Sequence, residues 1–299
     1  MTALLFQLRG ILSIVYLTIN TLFWGIALFS VTLLRMIVPL RFWRKFCGRI
    51  AIAIADAWIF FNNVGLILTR NIEFNISGIE KLDPRAWYLV ISNHQSWVDI
   101  PVLQKVLFHQ VPFLKFFLKK ELIWVPILGQ AWWALDFPFM KRYSVERIRK
   151  HPHLKGKDIE ITRKACEKFR DNPVSIMNFT EGTRFTQSKR QRQKSPYKHL
   201  LKPKAGGIGF VLSAMGEQLS FILDVTISYP YGAPDFWDFL CGRVKRIDIL
   251  VKKIPVTDNL LGDYVNDQAF RVRFQRWLNE LWKEKDLFLE HVVKGIPKN

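Results

Sequence analysis

Residues 10–34, GILSIVYLTINTLFWGIALFSVTLL, run for 25 positions between Arg9 and Arg35 without a charged side chain. About 20 apolar residues suffice to cross the hydrocarbon core of a bilayer as a helix. A cleaved signal peptide fits poorly. The apolar stretch is too long, the segment before it holds only Arg9, and no small-residue cleavage site follows. The run is therefore expected to be membrane-embedded. A second stretch at 50–69, IAIAIADAWIFFNNVGLILT, carries Asp56, Asn62 and Asn63, which make a full crossing expensive. Between the two lie Arg35, Arg41, Arg44, Lys45 and Arg49 with no acid, a pattern that favours the cytoplasmic side. A second full crossing would then export the basic remainder of the chain. Two arrangements avoid this: one crossing with the N-terminus outside, or both segments held as a hairpin in the inner leaflet. Residues 10–34 are thus transmembrane or re-entrant, and 50–69 interfacial or re-entrant.

The formal charge is +19, from 44 Lys and Arg against 25 Asp and Glu, and aromatic residues make up 14% of the chain. That combination suits nucleic acid or an anionic membrane surface. The chain has no helix-turn-helix, zinc-finger or RNP signature, and the apolar N-terminus gives the charge another role. No nucleic-acid partner is expected, and a basic, membrane-anchored nucleic-acid binder is the alternative from another class. Cys47, Cys166 and Cys241 are scattered, which supports neither a disulfide framework nor a zinc site and fits a reducing compartment. His151, His153 and Asp158 read as loop, so no metal is expected.

From about residue 71 the pattern changes to a mixed α/β domain. WYLVISN (87–93), VSIMNF (174–179), FILDVTISYP (221–230) and RIDILVKKI (246–254) read as strands. Helices are expected after Asp99, over 159–170, and over 268–294, where Phe270, Phe274, Trp277, Leu278 and Leu281 recur at helical spacing. Residues 185–204 are rich in Lys and Arg, contain no acid, and read as a flexible basic loop.

Chemistry gathers at strand ends. SNHQSWVDI (92–100) sets His94 and Asp99 five positions apart, which on one helix would be about 140° of rotation. Pro101 belongs in a first helical turn, so the helix should begin near Asp99 and leave 94–98 as a turn. There the carboxylate can fold back on the imidazole and fix its tautomer. Ser96-x-x-Asp99 is equally a capping-box pattern in which Asp99 only serves backbone donors. NFTEGTRF (178–185) places Gly182 between Glu181 and Arg184, a combination suited to an anion. DFPFMKRYS (136–144) and KKEL (119–122) add further cations. There is no GxSxG elbow and no cysteine near His94 in sequence, so a covalent intermediate lacks an obvious nucleophile.

Taken in order, the NHxxxxD block, KKEL, FMKR, EGTR and an apolar strand with DVT resemble the lysophospholipid acyltransferase family over residues 70–230. The likeness is to 1-acylglycerol-3-phosphate acyltransferases of the bacterial inner-membrane type. The resemblance implies a mixed β-sheet flanked by helices in an α/β domain over 71–299, behind membrane segments in 1–70. It implies transfer of an acyl group from acyl-CoA or acyl carrier protein to the free hydroxyl of 1-acylglycerol-3-phosphate, with no other cofactor. Another lysophospholipid, such as lysophosphatidylglycerol, is the alternative acceptor. His94 then corresponds to the general base and Asp99 to its orienting carboxylate. Lys119, or Lys120, corresponds to the lysine at the thioester carbonyl. Arg142, Glu181, Gly182, Thr183 and Arg184 correspond to acceptor-binding blocks, and Lys204 to a downstream KxGG element. The site is expected on the cytoplasmic face of an inner membrane. Three positions depart from the family: Asp136 stands where glycine is usual, Thr180 where proline is common, and Leu223-Asp224-Val225 lacks a proline.

Overall fold

The computed structural model describes residues 2–69, 71–140, 173–264 and 266–295, together with Glu160, Lys164 and Cys166. Glu160, Lys164 and Cys166 are helical. The rest of the helix expected over 159–170, and His151, His153 and Asp158, lie outside the described residues. The chain forms two compact units: residues 1–72, 117–141 and 237–244 make the first, and residues 73–116, 142–236 and 245–299 the second. Two later segments join the N-terminal helices in the first unit.

In the first unit, α1 (Thr2–Ile37) and α2 (Arg41–Thr69) are both long and apolar enough to cross a membrane. They pack antiparallel. The Tyr16 hydroxyl donates to Phe61 O at 2.7 Å, and Asn20 Nδ2 donates to Asn62 Oδ1 at 2.8 Å. The second pair satisfies polar groups that would otherwise be costly in lipid. Leu28, Ala51 and Ala55 are buried between the helices, while Leu22, Phe23, Ile26 and Leu33 face outward and exposed.

Later segments of the same unit attach at both ends of α1. Near its start, Trp237 Nε1 donates to Gln7 Oε1 at 2.9 Å, and Arg243 lies over the Phe6 ring beside α7 (Phe236–Cys241). Near its end, Arg35 NH1 meets Asp136 Oδ2 at 2.9 Å, between α4 (Leu128–Ala134) and β5 (Phe139–Met140). β5 pairs in parallel with the short β4 (Leu118–Lys119). Asp136 has φ +58°, the left-handed region that glycine tolerates best and aspartate better than most. The departure from glycine at this position thus keeps the backbone shape and adds an ion pair with Arg35.

The second unit is built on a six-stranded sheet in the order β1-β8-β7-β2-β6-β3. Its strands are β1 (Glu73–Ser77), β2 (Tyr88–Ser92), β3 (Leu114–Phe116), β6 (Ser175–Phe179), β7 (Phe221–Ser228) and β8 (Arg246–Pro255). β3, β6, β2 and β7 are mutually parallel, whereas β8 is antiparallel to β7 and carries β1 in parallel with itself. Every residue of β2 is buried, as its apolar run requires of a central parallel strand. Helices α3 (Asp99–Leu107), α6 (Ala205–Met215) and α8 (Gln268–Lys294) accompany this sheet. On α8, Phe270, Phe274, Leu278 and Leu281 of the predicted stripe are buried, while Trp277 is half-buried.

The same helix brings a cation inward. The fully buried Lys285 Nζ donates to Val225 O at 2.7 Å and Thr226 Oγ1 at 2.9 Å, and stands 2.8 Å from Asp224 Oδ1. Burial lowers its pKa, opposed by Asp224.

The basic segment at 185–204 is not a flexible loop. It contains a short helix, α5 (Gln187–Gln193), capped by the Thr186 hydroxyl accepting from Lys189 N. Arg190 Nε donates to Tyr197 O at 2.7 Å, and the Asp286 carboxylate of α8 accepts from the N–H groups of Lys198 and His199. The missing acids are supplied from elsewhere in the chain, which local charge counting does not register.

Candidate active site

β7, β2 and β6 are adjacent and parallel, so their carboxyl ends open on one edge, the usual place for a site in such a sheet. Each end contributes. β2 runs into Asn93 and His94, β6 into Thr180 and Glu181, and β7 into Tyr229. Asn93 locks the register at this edge: its Nδ2 donates to Ile227 O, and its Oδ1 accepts from Ile227 N, both at 2.9 Å.

The turn expected between β2 and α3 is present, and α3 begins at Asp99. His94 Nδ1 lies 2.7 Å from Asp99 Oδ2. The same oxygen accepts from Gln95 N at 2.6 Å and Ser96 N at 3.0 Å. The two readings of Asp99 therefore coexist, since it serves backbone donors and holds the imidazole at once. The full capping box does not form: Ser96 Oγ accepts from Val98 N and donates to Pro234 O.

An oxygen that already takes two N–H groups acts as acceptor, so Nδ1 carries the proton and the Nε2 lone pair is left available. The imidazole stacks on Phe179 with ring centroids 3.9 Å apart, which fixes its plane. Its side chain is only 13% exposed and Asp99 is fully buried. The other carboxylate oxygen, Asp99 Oδ1, accepts from the Tyr229 hydroxyl at 2.7 Å. Burial, with Asp99 beside it, pushes the Tyr229 pKa well above its ordinary value, so this hydroxyl stays a donor.

Glu181 is also fully buried. Its two oxygens accept from His94 N at 3.3 Å and Leu201 N at 3.1 Å. Instead of facing an open pocket, the carboxylate ties the His94 turn to the 201 segment. Burial pushes its pKa up to about 8, against the pull of the Leu201 and His94 N–H groups and of Lys285, with Asp99 adding to the rise. The protonated form is thus favoured in the fold relative to the unfolded chain. This contribution to stability is complete below the ordinary carboxylate range and is lost as pH rises through about 8. The unfolding temperature of the detergent-purified protein is expected to fall between pH 5 and 8.5, and to fall less steeply in Glu181→Gln. Equal slopes in the two proteins would contradict this.

Gly182 turns the chain with φ +70°, a conformation suited to glycine. The Arg184 guanidinium lies 4.4 Å from the centre of the half-exposed Trp97 ring. Thr180, where proline is common, uses its N–H to reach Ser92 O at 3.2 Å, a bond proline cannot make. Lys204 is exposed at the start of α6, and its N–H donates to Thr180 O at 2.9 Å. Three residues further on, a Cβ at Gly207 would come 2.6 Å from Asn178 Nδ2, so the second KxGG glycine permits close packing of α6 on β6.

His94, Asp99, Glu181, Gly182, Thr183, Arg184 and Lys204 thus belong to one edge of the second unit. Lys119 ends β4 in the first unit, exposed, with Lys120 opening the 3-10 turn that follows. Arg142 lies outside the described residues. Sequence reasoning missed Tyr229, Phe179 and Lys285. Tyr229 closes the predicted run FILDVTISYP, and knowing that β7 adjoins β2 would have pointed to it. Among the described residues no group of His, Cys, Asp and Glu could hold a metal ion. Cys166 is buried, with its thiol pushed up to about 12, and makes a poor nucleophile.

A parallel-stranded edge bearing a carboxylate-held imidazole with a free nitrogen is suited to moving a proton. The family model described as Acyltransferase matches residues 73–229, more than half of the sequence, and the chain belongs to that family. Human 1-acyl-sn-glycerol-3-phosphate acyltransferase delta is 27% identical over 232 residues, which are 71% of this chain and 56% of the human protein. The chain thus spans little more than half the length of that relative. The Saccharomyces cerevisiae 2-acyl-1-lysophosphatidylinositol acyltransferase is 26% identical over 248 residues, 68% of this chain and 60% of the yeast protein. The crystal structure of the Thermotoga maritima 1-acyl-sn-glycerophosphate (LPA) acyltransferase, PlsC, superposes with a TM-score of 0.56 at 17% identity. It covers 100% of both chains and shares the fold.

Proposed function

We propose that this chain is a membrane acyltransferase that moves a fatty acyl group from an acyl thioester to the free hydroxyl of 1-acylglycerol-3-phosphate, forming phosphatidate. The observation that carries this is the 2.7 Å contact between His94 Nδ1 and the buried Asp99, which leaves Nε2 as the base. Family membership and the names of the relatives support the same chemistry. In the forward step Nε2 takes the hydroxyl proton as the oxygen attacks the thioester carbonyl carbon. A C–O bond forms, the tetrahedral centre collapses, and the C–S bond breaks. The imidazolium then returns its proton to the leaving thiolate. Asp99 orients the ring and stabilises its charged form between the two transfers. A positioned base contributes typically about 10²–10⁴-fold, and the remainder comes from holding donor and acceptor together. Lys119 is the residue we assign to the thioester oxygen, Arg142 joins the acceptor site, and the donor is acyl-CoA or acyl carrier protein.

For placement, we take the hairpin lying in one leaflet over the single crossing. Residues 117–141 attach near one end of α1 and 237–244 near the other. If α1 crossed, those segments would stand on opposite sides of the bilayer. Among the described residues no helix between them is long and apolar enough to cross. The exposed Leu22, Phe23, Ile26 and Leu33 give the hairpin a lipid-facing side. An inner membrane, with the sheet unit on the cytoplasmic face, fits the cations at 35–49.

A second reading, a lyso-acceptor that already bears a headgroup, has support in the yeast relative named for lysophosphatidylinositol. One assay separates the two. Detergent-purified protein is given labelled acyl-CoA or acyl carrier protein with lysophosphatidate and lysophosphatidylglycerol in competition. Labelled phosphatidate as the main product is expected, and a preference for the headgrouped acceptor would favour the second reading.

A further inference from the structure

The turn at 182–184 is pinned to His94 from both sides. Glu181 Oε1 accepts from His94 N, and Phe185 N donates to His94 O at 2.7 Å. Whatever occupies this turn is therefore held next to the base. Lys189, from α5, reaches back onto it: its Nζ donates to Thr183 Oγ1 at 2.8 Å and to Arg184 O at 2.9 Å. Two of the three ammonium donors are spent on the turn and one is left. Because Thr183 Oγ1 accepts from Lys189, its own O–H is free to donate outward. The backbone N–H groups of Thr183 and Arg184 make no hydrogen bond among the described residues. Arg184 is steadied by Trp97, and neither cation meets a carboxylate among the described residues. Two cations gathered beside one short turn favour an anion there, the more so once a bound ligand excludes water.

We propose that Lys189 is a second cation of a phosphate cradle, formed with Arg184, the Thr183 hydroxyl and the turn N–H groups, that selects an acceptor whose phosphate is a terminal monoester. A monoester phosphate carries about −1.5 to −2 at pH 7 and presents three free oxygens, matching two cations and several convergent donors. A headgrouped diester carries one charge and two free oxygens, and leaves part of the cradle unmatched. The inference rests on the acceptor reading given above and narrows it to lysophosphatidate.

The test compares the wild type with Lys189→Met and Lys189→Arg on both acceptors. Lys189→Met is expected to raise KM for lysophosphatidate about tenfold with kcat within twofold, to change KM for lysophosphatidylglycerol by twofold or less, and to be partly rescued by Lys189→Arg. Equal KM changes for the two acceptors, or a fall in kcat at unchanged KM, would assign Lys189 to turn structure and overturn the proposal. Should the wild type acylate neither acceptor, the acyltransfer reading fails, and calorimetric titration with glycerol 3-phosphate decides the cradle separately. Binding that Lys189→Met abolishes would sustain it; equal binding in both proteins, or none in either, would overturn it.

Discussion

Replacing His94 by alanine is expected to lower acyl transfer by about 10²–10⁴-fold, the full share of a positioned base, while the protein stays folded. The two halves of this expectation have different origins. On the mechanism proposed above, activity falls because Nε2 takes the acceptor proton, with Nδ1 committed to Asp99 at 2.7 Å. Stability holds because Asp99 keeps its other donors, Gln95 N, Ser96 N and the Tyr229 hydroxyl, so no buried carboxylate is left bare. Initial rates, paired with thermal unfolding of the same preparation, check both. A variant that keeps more than a tenth of the wild-type rate would remove His94 from the chemistry.

Asp99→Asn should come close to the same loss, about 10²-fold or more, for another reason. The amide can turn its oxygen toward Gln95 N, Ser96 N and His94 Nδ1, so the local geometry survives. The negative charge that stabilises the imidazolium is gone. Tyr229→Phe removes one of four donors to the carboxylate and leaves the charge, so a loss of only about tenfold is expected, in line with a hydrogen bond to a charged group worth ~1.5 kcal/mol. In the double variant the tyrosine effect should largely vanish, because Tyr229 reaches His94 through Asp99. Fully additive losses would show that Tyr229 acts elsewhere.

Much of this architecture was legible from apolar patterning. The runs at 88–92, 175–179 and 221–228 are strands because buried central strands need mostly apolar side chains, whereas 246–255 carries Arg246, Asp248, Lys252 and Lys253 and is buried over only part of its length. The C-terminal helix follows from its stripe. Other elements left weak traces. β1 alternates in burial over five residues, and β3 has only Leu114, Lys115 and Phe116, too short for any period to register. α6 carries Gly206, Gly207 and Gly209, which argue against a helix locally. Its packing against Asn178 and Tyr264 overrides that preference.

The site divides the same way. His94 and Asp99 lie on one turn, where spacing and Pro101 allow the pair without excluding a capping role for Asp99, and the family resemblance favours the pair. Tyr229 lies 130 residues beyond the Asp99 it donates to, Phe179 lies 85 beyond the His94 it stacks on, and Lys285 reaches β7 from α8; strand order and helix docking bring them in, which no local pattern encodes. The role of Glu181 was obscured for a related reason. A glutamate in a polar turn suggests a ligand contact, whereas here burial turns it into a tie between two backbone segments.

The central claim is that His94 hands the acceptor hydroxyl directly to the thioester, without an acyl-enzyme. The measurement that tests it follows thiol release from acyl-labelled CoA by the purified protein, with and without lysophosphatidate, and the label retained on the denatured protein. The account predicts thiol release only when acceptor is present, one phosphatidate for each thiol, and unlabelled protein. Stoichiometric label on the protein in the absence of acceptor would contradict it.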